Sequence, residues 1–252
     1  MIATVVGSGT LVPSARRSTP ALVVEEDGVQ LTIDGGSGTL RRQAELGIDF
    51  RNTAALLYTH VHPDHSLDLL HFLFATGHTP GFERTEPVRL VGPPGFSRFV
   101  AHLRDGVRSW TEAGPGGIAI EELGDGDGLA VGPLRITATA LAHAVTDHGY
   151  RITAPSGRSF AFTGDTGWCD GLLRLARAAD VLVCECSGDA AHPMTGHLTA
   201  PEAGRLAAGA GVGQLVLSHL YPLPDDRIRL EEAAAEFGGP ILLAEDGDRF
   251  IV

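Results

Sequence analysis

An α/β fold is the prediction for this chain, and three features carry it. Short apolar runs suited to strands recur along its whole length, and helical segments with recognisable start and stop signals fall between several of them. Four of the strands also close on a histidine or an aspartate. Sites in α/β folds collect at the carboxyl ends of strands, so four such ends can converge on one rim.

The 252 residues suffice for one large domain or two tightly joined halves with a buried core. No low-complexity linker divides them, so a single domain over residues 1–252 is expected. Apolar residues make up 43%, and 33 Gly with 15 Pro indicate many turns rather than disorder. No window approaches the roughly 20 apolar residues of a membrane span. The N-terminus runs straight into strand-like Ile2-Ala3-Thr4-Val5-Val6 without a basic leader. With only Cys169, Cys184 and Cys186 present, a reducing cytoplasm is expected rather than a disulfide scaffold. Cys184-Glu185-Cys186 sits in an apolar run and reads as buried thiols, not a zinc knuckle.

Charge excludes several classes of function. The 31 acidic and 19 basic residues leave a net charge of −12, and every basic residue is arginine. Without lysine, Schiff-base chemistry and a P-loop are ruled out. An acidic chain also argues against a large polyanionic partner, whose phosphates would need neutralising cations.

In chain order, Ile2 to Val6 reads as a strand running into Gly7-Ser8-Gly9-Thr10. No third glycine opens a helix there, so this is a tight turn near the site rather than a dinucleotide fingerprint. Ala21 to Glu25 and Gln30 to Asp34 form a hairpin about Glu26-Asp27-Gly28. Asp34-Gly35-Gly36-Ser37-Gly38 ends it, and Thr39 to Leu46 is a helix stopped by Gly47. Ser66 is placed as the N-cap of a helix through Ala75, with Leu67, Leu70 and Phe74 on one face. His71 and His78 are expected to pack or lie on the surface. Between 79 and 120 the pattern weakens to a strand at Val88 to Val91, a helix at Gly95 to Leu103 and a loop at Glu112 to Gly117. Phe82, Phe96, Phe99 and Trp110 in that stretch are either a substrate wall or ordinary core.

Asp125-Gly126-Asp127-Gly128 is a turn, since the glutamate of a calcium loop is missing. Leu134 to Ala142 reads as a strand ending at His143, and Ser159 to Thr163 as one ending at Gly164-Asp165. Asp170 to Ala179 is a helix, and Val181 to Cys184 a buried strand ending at Glu185. Thr199-Ala200-Pro201-Glu202 is a capping box for a helix reaching Gly209 or Gly211. Leu215 to Leu217 leads into Ser218-His219. Ile241 to Ala244 and Arg249 to Val252 are expected to close the chain as a pair of strands.

The densest chemistry lies in His60-Val61-His62-Pro63-Asp64-His65. Imidazole with carboxylate suits zinc and its borderline neighbours, whereas calcium and magnesium prefer all-oxygen cages. In an extended backbone His60 and His62 point the same way, and Pro63 then turns the chain so that Asp64 and His65 aim at a second point. One tetrahedral ion does not need so many donors, so a dinuclear site is expected. A surface turn that is merely rich in histidine is the alternative.

His-x-His-x-Asp-His, an isolated His143, Thr163-Gly164-Asp165-Thr166 and Leu217-Ser218-His219 together resemble the metallo-β-lactamase superfamily. That resemblance implies a four-layer αββα sandwich with the metals at one edge of its two sheets. Gly7-Ser8-Gly9-Thr10 with Arg17-Ser18, Asp34-Gly35-Gly36, Phe162 to Thr166, and Gly196-His197-Leu198-Thr199 are similar to the ribonuclease Z branch. Carried over, one divalent ion would be held by His60, His62 and His143. A second would take Asp64, His65 and His219, with Asp165 bridging. Zinc is expected, with manganese or iron accepted by the same donors. Such a pair, about 3.5–4 Å apart, generates a hydroxide that attacks a phosphodiester. His197 would protonate the leaving alkoxide, oriented by Glu185, and both join Asp64 as catalytic candidates.

The chain departs from the tRNA-cleaving members. They carry a long glycine-rich basic arm, in many cases inserted between the isolated histidine and the Gly-Asp motif, whereas here only Ala144 to Gly164 lie there, with Arg151 and Arg158. Ser187 also stands where those enzymes have a different loop. The armless bacterial phosphodiesterases are the better match, so a cytoplasmic enzyme acting on a small phosphodiester, such as a cyclic nucleotide, is expected. The alternatives are tRNA 3′-end cleavage, hydrolysis of a lactone, thioester or sulfate ester, and a non-catalytic metal-bound sensor. RNA is disfavoured as a partner, no membrane is expected, and a homodimer is suggested by the resemblance alone.

Overall fold

The computed structural model describes residues 1–144, 146–223 and 225–252. The chain first lays down β1 (Ile2–Gly7), β2 (Ala21–Glu26), β3 (Val29–Ile33), β4 (Thr53–Leu57), β5 (Val88–Gly92) and β6 (Ile118–Glu122). It then builds β7 (Gly128–Val131), β8 (Leu134–Ala140), β9 (His148–Thr153), β10 (Ser159–Phe162), β11 (Val181–Glu185), β12 (Gln214–Ser218) and β13 (Ile241–Leu243), and finishes with β14 (Arg249–Ile251). These form two seven-stranded sheets, ordered β14-β1-β2-β3-β4-β5-β6 and β13-β12-β11-β10-β9-β8-β7. In each, an antiparallel meander passes into a parallel run, from β3 to β6 in the first sheet and from β10 to β13 in the second. Parallel strands send their carboxyl ends to the same edge, which is why the site forms there.

Two sheets packed face to face give the inner layers. Val5, Leu22, Leu31, Ile33 and Leu57 of the first meet Ile136, Tyr150, Ile152, Phe160 and Val183 of the second, all fully buried. Helices α1 (Thr39–Glu45), α3 (Asp68–His78) and α4 (Phe96–Arg104) cover the outer face of the first sheet through Leu40, Leu69, Phe72, Leu73 and Phe96. Helices α5 (Asp170–Ala176), α6 (Ala200–Ala210) and α7 (Arg227–Glu236) cover the second through residues such as Leu172, Leu206 and Ala233. The result is the αββα sandwich. Each large apolar side chain so buried contributes about 1.5–3 kcal/mol. A one-residue slip of any strand would turn that set to the other face, so the strand ends are held in register.

Several local expectations hold. The β2–β3 hairpin turns at Asp27 and Gly28, both at positive φ, and α6 begins with the capping box of Thr199 and Glu202. Others need correcting. The two C-terminal strands do not pair with each other: β13 joins β12 in the second sheet and β14 joins β1 in the first. Ser66 is not an N-cap. Pro63 starts a short helix, α2 (Pro63–Ser66), and the Ser66 hydroxyl donates backward to the carbonyls of Val61 and His62. On α3 the buried stripe is Leu69, Phe72 and Leu73, while Leu67 and Phe74 stay exposed. That helix is apolar on both sides, so periodicity alone could not choose.

Strand β8 stops at Ala140 because Leu141 and Ala142 turn their N–H groups to Asp147 and Thr166, which leaves His143 on a loop. Strands β6, β7 and β9 and helix α7 were not anticipated. The aromatics of 79–120 serve the core rather than a wall: Phe96 stacks on Tyr58 at 5.1 Å, and Phe82 meets Phe50 edge-on. Only Trp110 among them is exposed, and it lies near His78.

Candidate metal centre

The site is assembled from the carboxyl ends of β3, β4, β10, β11 and β12, with the loops after β8 and before α6. Asp34 follows β3 at a φ of 56°, a left-handed conformation that Asp tolerates better than most residues. Its carboxylate accepts the Thr59 N–H at 2.7 Å and the Thr59 hydroxyl at 2.8 Å. It also accepts from His65 Nδ1 at 2.9 Å. The Gly35-Gly36 turn is pressed so close to α2 that a Cβ at Gly36 would lie 2.1 Å from the Asp64 carbonyl. That close approach explains the Asp34-Gly35-Gly36 sequence.

Of the other candidate ligands, His60, His143 and His219 are likewise held from behind. The hydrogen of Thr59 Oγ1 goes to Asp34, so this oxygen is left to accept from His60 Nδ1, 3.0 Å away. His143 Nδ1 donates to the Gly196 carbonyl at 2.8 Å. His219, itself at a φ of 54°, has Nδ1 2.9 Å from the Ser187 hydroxyl. An imidazole whose Nδ1 carries the hydrogen offers the lone pair of Nε2, which is how second partners orient ligating histidines. The Nε2 atoms of His60, His65 and His219 all turn toward Asp165, at 3.9, 3.3 and 3.2 Å. His143 Nε2 lies 3.8 Å from Asp165 and 3.2 Å from His62 Nδ1.

The Nε2 atoms of His60, His65 and His219, together with Asp165 Oδ1, are buried without a hydrogen-bond partner among the described residues. Unpaired buried polar atoms are rare because each costs about 1–3 kcal/mol. Here four of them face one space. Donor atoms of His60, His62, His143 and Asp165 lie within 4.8 Å of one another, and so do those of Asp64, His65 and His219. A mixed imidazole–carboxylate set of this kind fits divalent zinc, manganese or iron.

The charges tell the same story. Burial and the neighbouring His65 push the His60 imidazole far down, so it is neutral and able to ligate. Burial opposes a proton on His65, yet Asp165 and Asp34 raise it well above the usual range. Burial likewise opposes charge on Asp165, but His219 and His65 hold it well below the usual carboxylate range. Two carboxylates deep in the fold thus draw a proton where a cation would serve.

Beside this cage stands the His197 pair. Glu185 is fully buried at the end of β11 and accepts the Thr166 N–H at 2.6 Å and the Ser187 hydroxyl at 2.7 Å. It also meets the Ser187 N–H at 3.3 Å and His197 Nδ1 at 2.9 Å. Burial lowers the basicity of His197, but the hydrogen bond and charge of Glu185 outweigh it and raise its pKa. One His197 nitrogen comes within 4.8 Å of donor atoms of Asp165 and His219. The Tyr221 ring closes this side, 6.1 Å from His197 and 5.8 Å from His219 between ring centres.

All nine residues selected from the sequence therefore meet at one place. The residues that hold them were missed. Asp34 was visible only as part of a motif, and Ser187 only as a departure. Asp147, whose Oδ1 is 4.0 Å from His60 Nδ1, carried no signal, and neither did Arg229. Arg229 is fully buried in α7 and donates to the Ser187 carbonyl at 2.9 Å and the Tyr221 carbonyl at 2.7 Å.

Comparison with known proteins agrees with the geometry. The family model described as a beta-lactamase superfamily domain matches residues 31–220. An uncharacterized protein of Mycobacterium leprae is 34% identical, over 98% of this chain and 87% of its own length. A ribonuclease Z of Thermobifida fusca is 30% identical, over 98% of this chain and 93% of its own. Among solved structures, the metallo-beta-lactamase fold protein YhfI of Bacillus subtilis superposes with a TM-score of 0.86 at 25% identity, covering 99% of both chains.

Proposed function

Since the chain belongs to the β-lactamase superfamily, in its ribonuclease Z-like branch, we propose that this metallohydrolase is a dinuclear phosphodiesterase acting on a small substrate such as a cyclic nucleotide. The observation that carries the reading is the set of orphaned donors, the Nε2 atoms of His60, His65 and His219 with Asp165 Oδ1, turned on one space beside a histidine held by a buried glutamate. His60, His62 and His143 would hold one ion and Asp64, His65 and His219 the other, with Asp165 between them. When bound, such ions polarise phosphate oxygens and lower the pKa of water.

The chain's own groups do the rest. Asp34, Thr59, Ser187 and the Gly196 carbonyl fix the ring hydrogens of His65, His60, His219 and His143 on Nδ1, so that the Nε2 of each faces inward, while His62 turns its Nδ1 toward His143. Glu185 keeps His197 oriented and protonated, and His197 delivers that proton to the departing alkoxide. His62, on the exposed side, leaves an approach open.

The small substrate is favoured by what fills the span where an arm would sit. β9, a turn over 154–158 and β10 take up 148–162 of it, and no protruding arm is present among the described residues. Two clefts of about 600 and 140 Å³ flank the loop over 10–17, and the smaller is lined by Tyr221. Arg16, Arg17, Arg41 and Arg42 line the larger cleft, but each already faces a carboxylate, which leaves little charge for a polyanion. A second reading, tRNA 3′-end cleavage, is favoured by the likeness to the Thermobifida fusca ribonuclease Z.

The purified protein with zinc or manganese should hydrolyse bis(p-nitrophenyl) phosphate and one or more cyclic nucleotides. Accurate cleavage of precursor tRNA at low enzyme concentration would favour the second reading instead. Inactivity on every diester with both ions bound would overturn both.

A further inference from the structure

Ser187 is fully buried, and its hydroxyl stands among three groups of the centre. It lies 2.7 Å from Glu185 Oε2, 2.9 Å from His219 Nδ1 and 3.2 Å from His197 Nδ1. A hydroxyl has one hydrogen to give and two lone pairs to receive with. The carboxylate can only accept, so the hydrogen goes to Glu185. A lone pair then receives from His219, which puts the His219 hydrogen on Nδ1, while the single Nδ1 hydrogen of His197 is shared between this hydroxyl and the nearer Glu185 Oε1 at 2.9 Å. That leaves His219 Nε2 as a free lone pair, 3.2 Å from Asp165 and 3.7 Å from Asp64.

Two further contacts fix the hydroxyl where it stands. The Ser187 carbonyl and the Tyr221 carbonyl share Arg229 Nη2, so the segments on either side of His219 are clamped to one buried guanidinium. Arg229 is itself pinned by Asp226 at 2.6 Å. On the opposite wall the Thr59 hydroxyl makes the same pattern, giving its hydrogen to Asp34 and accepting from His60.

Resting on the dinuclear reading above, we propose that Ser187 is a positioning residue that ties the proton-donor pair to the second ion's site, its hydroxyl fixing the tautomer of His219 and so the affinity of the Asp64–His65–His219 position. Removing the hydroxyl frees the His219 ring to put its hydrogen on either nitrogen and leaves Glu185 short of a donor. The His60–His62–His143 position does not depend on it.

The test is stepwise metal binding, read by competition with a chromophoric chelator on metal-free protein, with zinc as the probe. In Ser187→Ala one of the two affinities should fall about 10–100-fold, the range for loss of a partner behind a ligating histidine, while the other stays as in the wild type. Ser187→Thr, which keeps the hydroxyl, should restore most of the loss. Thermal unfolding of each metal-free variant checks that it is folded. Unchanged affinities in Ser187→Ala, an equal fall at both positions, or no recovery in Ser187→Thr would each overturn the proposal. If the wild type itself binds fewer than two ions, the dinuclear reading fails instead, and the two failures are told apart.

Discussion

On the first sheet, Asp34 at the end of β3 takes a hydrogen bond directly from His65 and reaches His60 through the Thr59 hydroxyl. On the second, Glu185 at the end of β11 takes one directly from His197 and reaches His219 through the Ser187 hydroxyl. One carboxylate and one hydroxyl orient two imidazoles in both cases. The likeness is not imposed by topology. β3 lies at the boundary between antiparallel and parallel pairing, whereas β11 is parallel to both neighbours. The outcomes also differ. Both histidines on the Asp34 side point a free nitrogen into the cage, but on the Glu185 side only His219 does so directly. His197 stands at its margin. On the proposed mechanism, the same local chemistry serves as ligand support or proton supply according to where the free nitrogen ends up.

This contrast can be broken or sharpened by substitution. The largest effect is expected from Asp165→Ala, which removes the group common to both walls. Metal content should fall at both positions by more than the roughly 100-fold that loss of an outer partner costs, and hydrolysis should disappear. His197→Ala comes next. Turnover should drop by about 10²–10⁴-fold with both ions retained, and a parallel loss of metal would make His197 a ligand instead.

The two carboxylates then separate the walls. Asp34→Ala should weaken zinc about 10–100-fold, as read by chelator competition. Glu185→Ala should lower turnover toward the lower end of the roughly 10²–10⁴-fold range for a lost general acid, with a smaller change in metal affinity. Equal metal losses in both variants would dissolve the distinction. The smallest effect should come from Thr59→Ala. It removes the two hydrogen bonds of the hydroxyl, to Asp34 and from His60, each worth about 0.5–1.5 kcal/mol, and should weaken only the His60 position, seen as a shift in one of two binding steps.

How much of this was legible in the sequence follows from distance along the chain. The candidate ligands His60, Asp165 and His219 were legible because a short apolar run marks a buried strand and its end marks the rim, and His143 was found the same way although its strand stops at Ala140. His197 and Glu185 were legible only through family likeness. Asp34 and His65 are 31 positions apart, and nothing local joins them. Ser187 looked like a mere deviation because its value lies in partners 10 and 32 residues away. The fold showed the same divide. The capping box at Thr199 is a local signal and was read correctly, as was the hairpin at Asp27-Gly28. The edge strands β6 and β7 are short and only partly covered, so they lack a strong apolar pattern. The partners of β13 and β14 are set by the sandwich as a whole, which adjacency in sequence cannot reveal.

That last arrangement has a consequence for how the molecule comes to exist. β14 supplies the outer neighbour of β1, the Val252 N–H meets the Met1 carbonyl, and Asp246 takes the backbone and hydroxyl of Ser8 and the backbone of Ser18. The opening strand and the loop beside the centre must therefore wait for residues 246–252 before they can settle. β1 is made long before its outer neighbour, and that edge stays uncovered until β14 arrives. Strands this far apart in sequence are slow to pair.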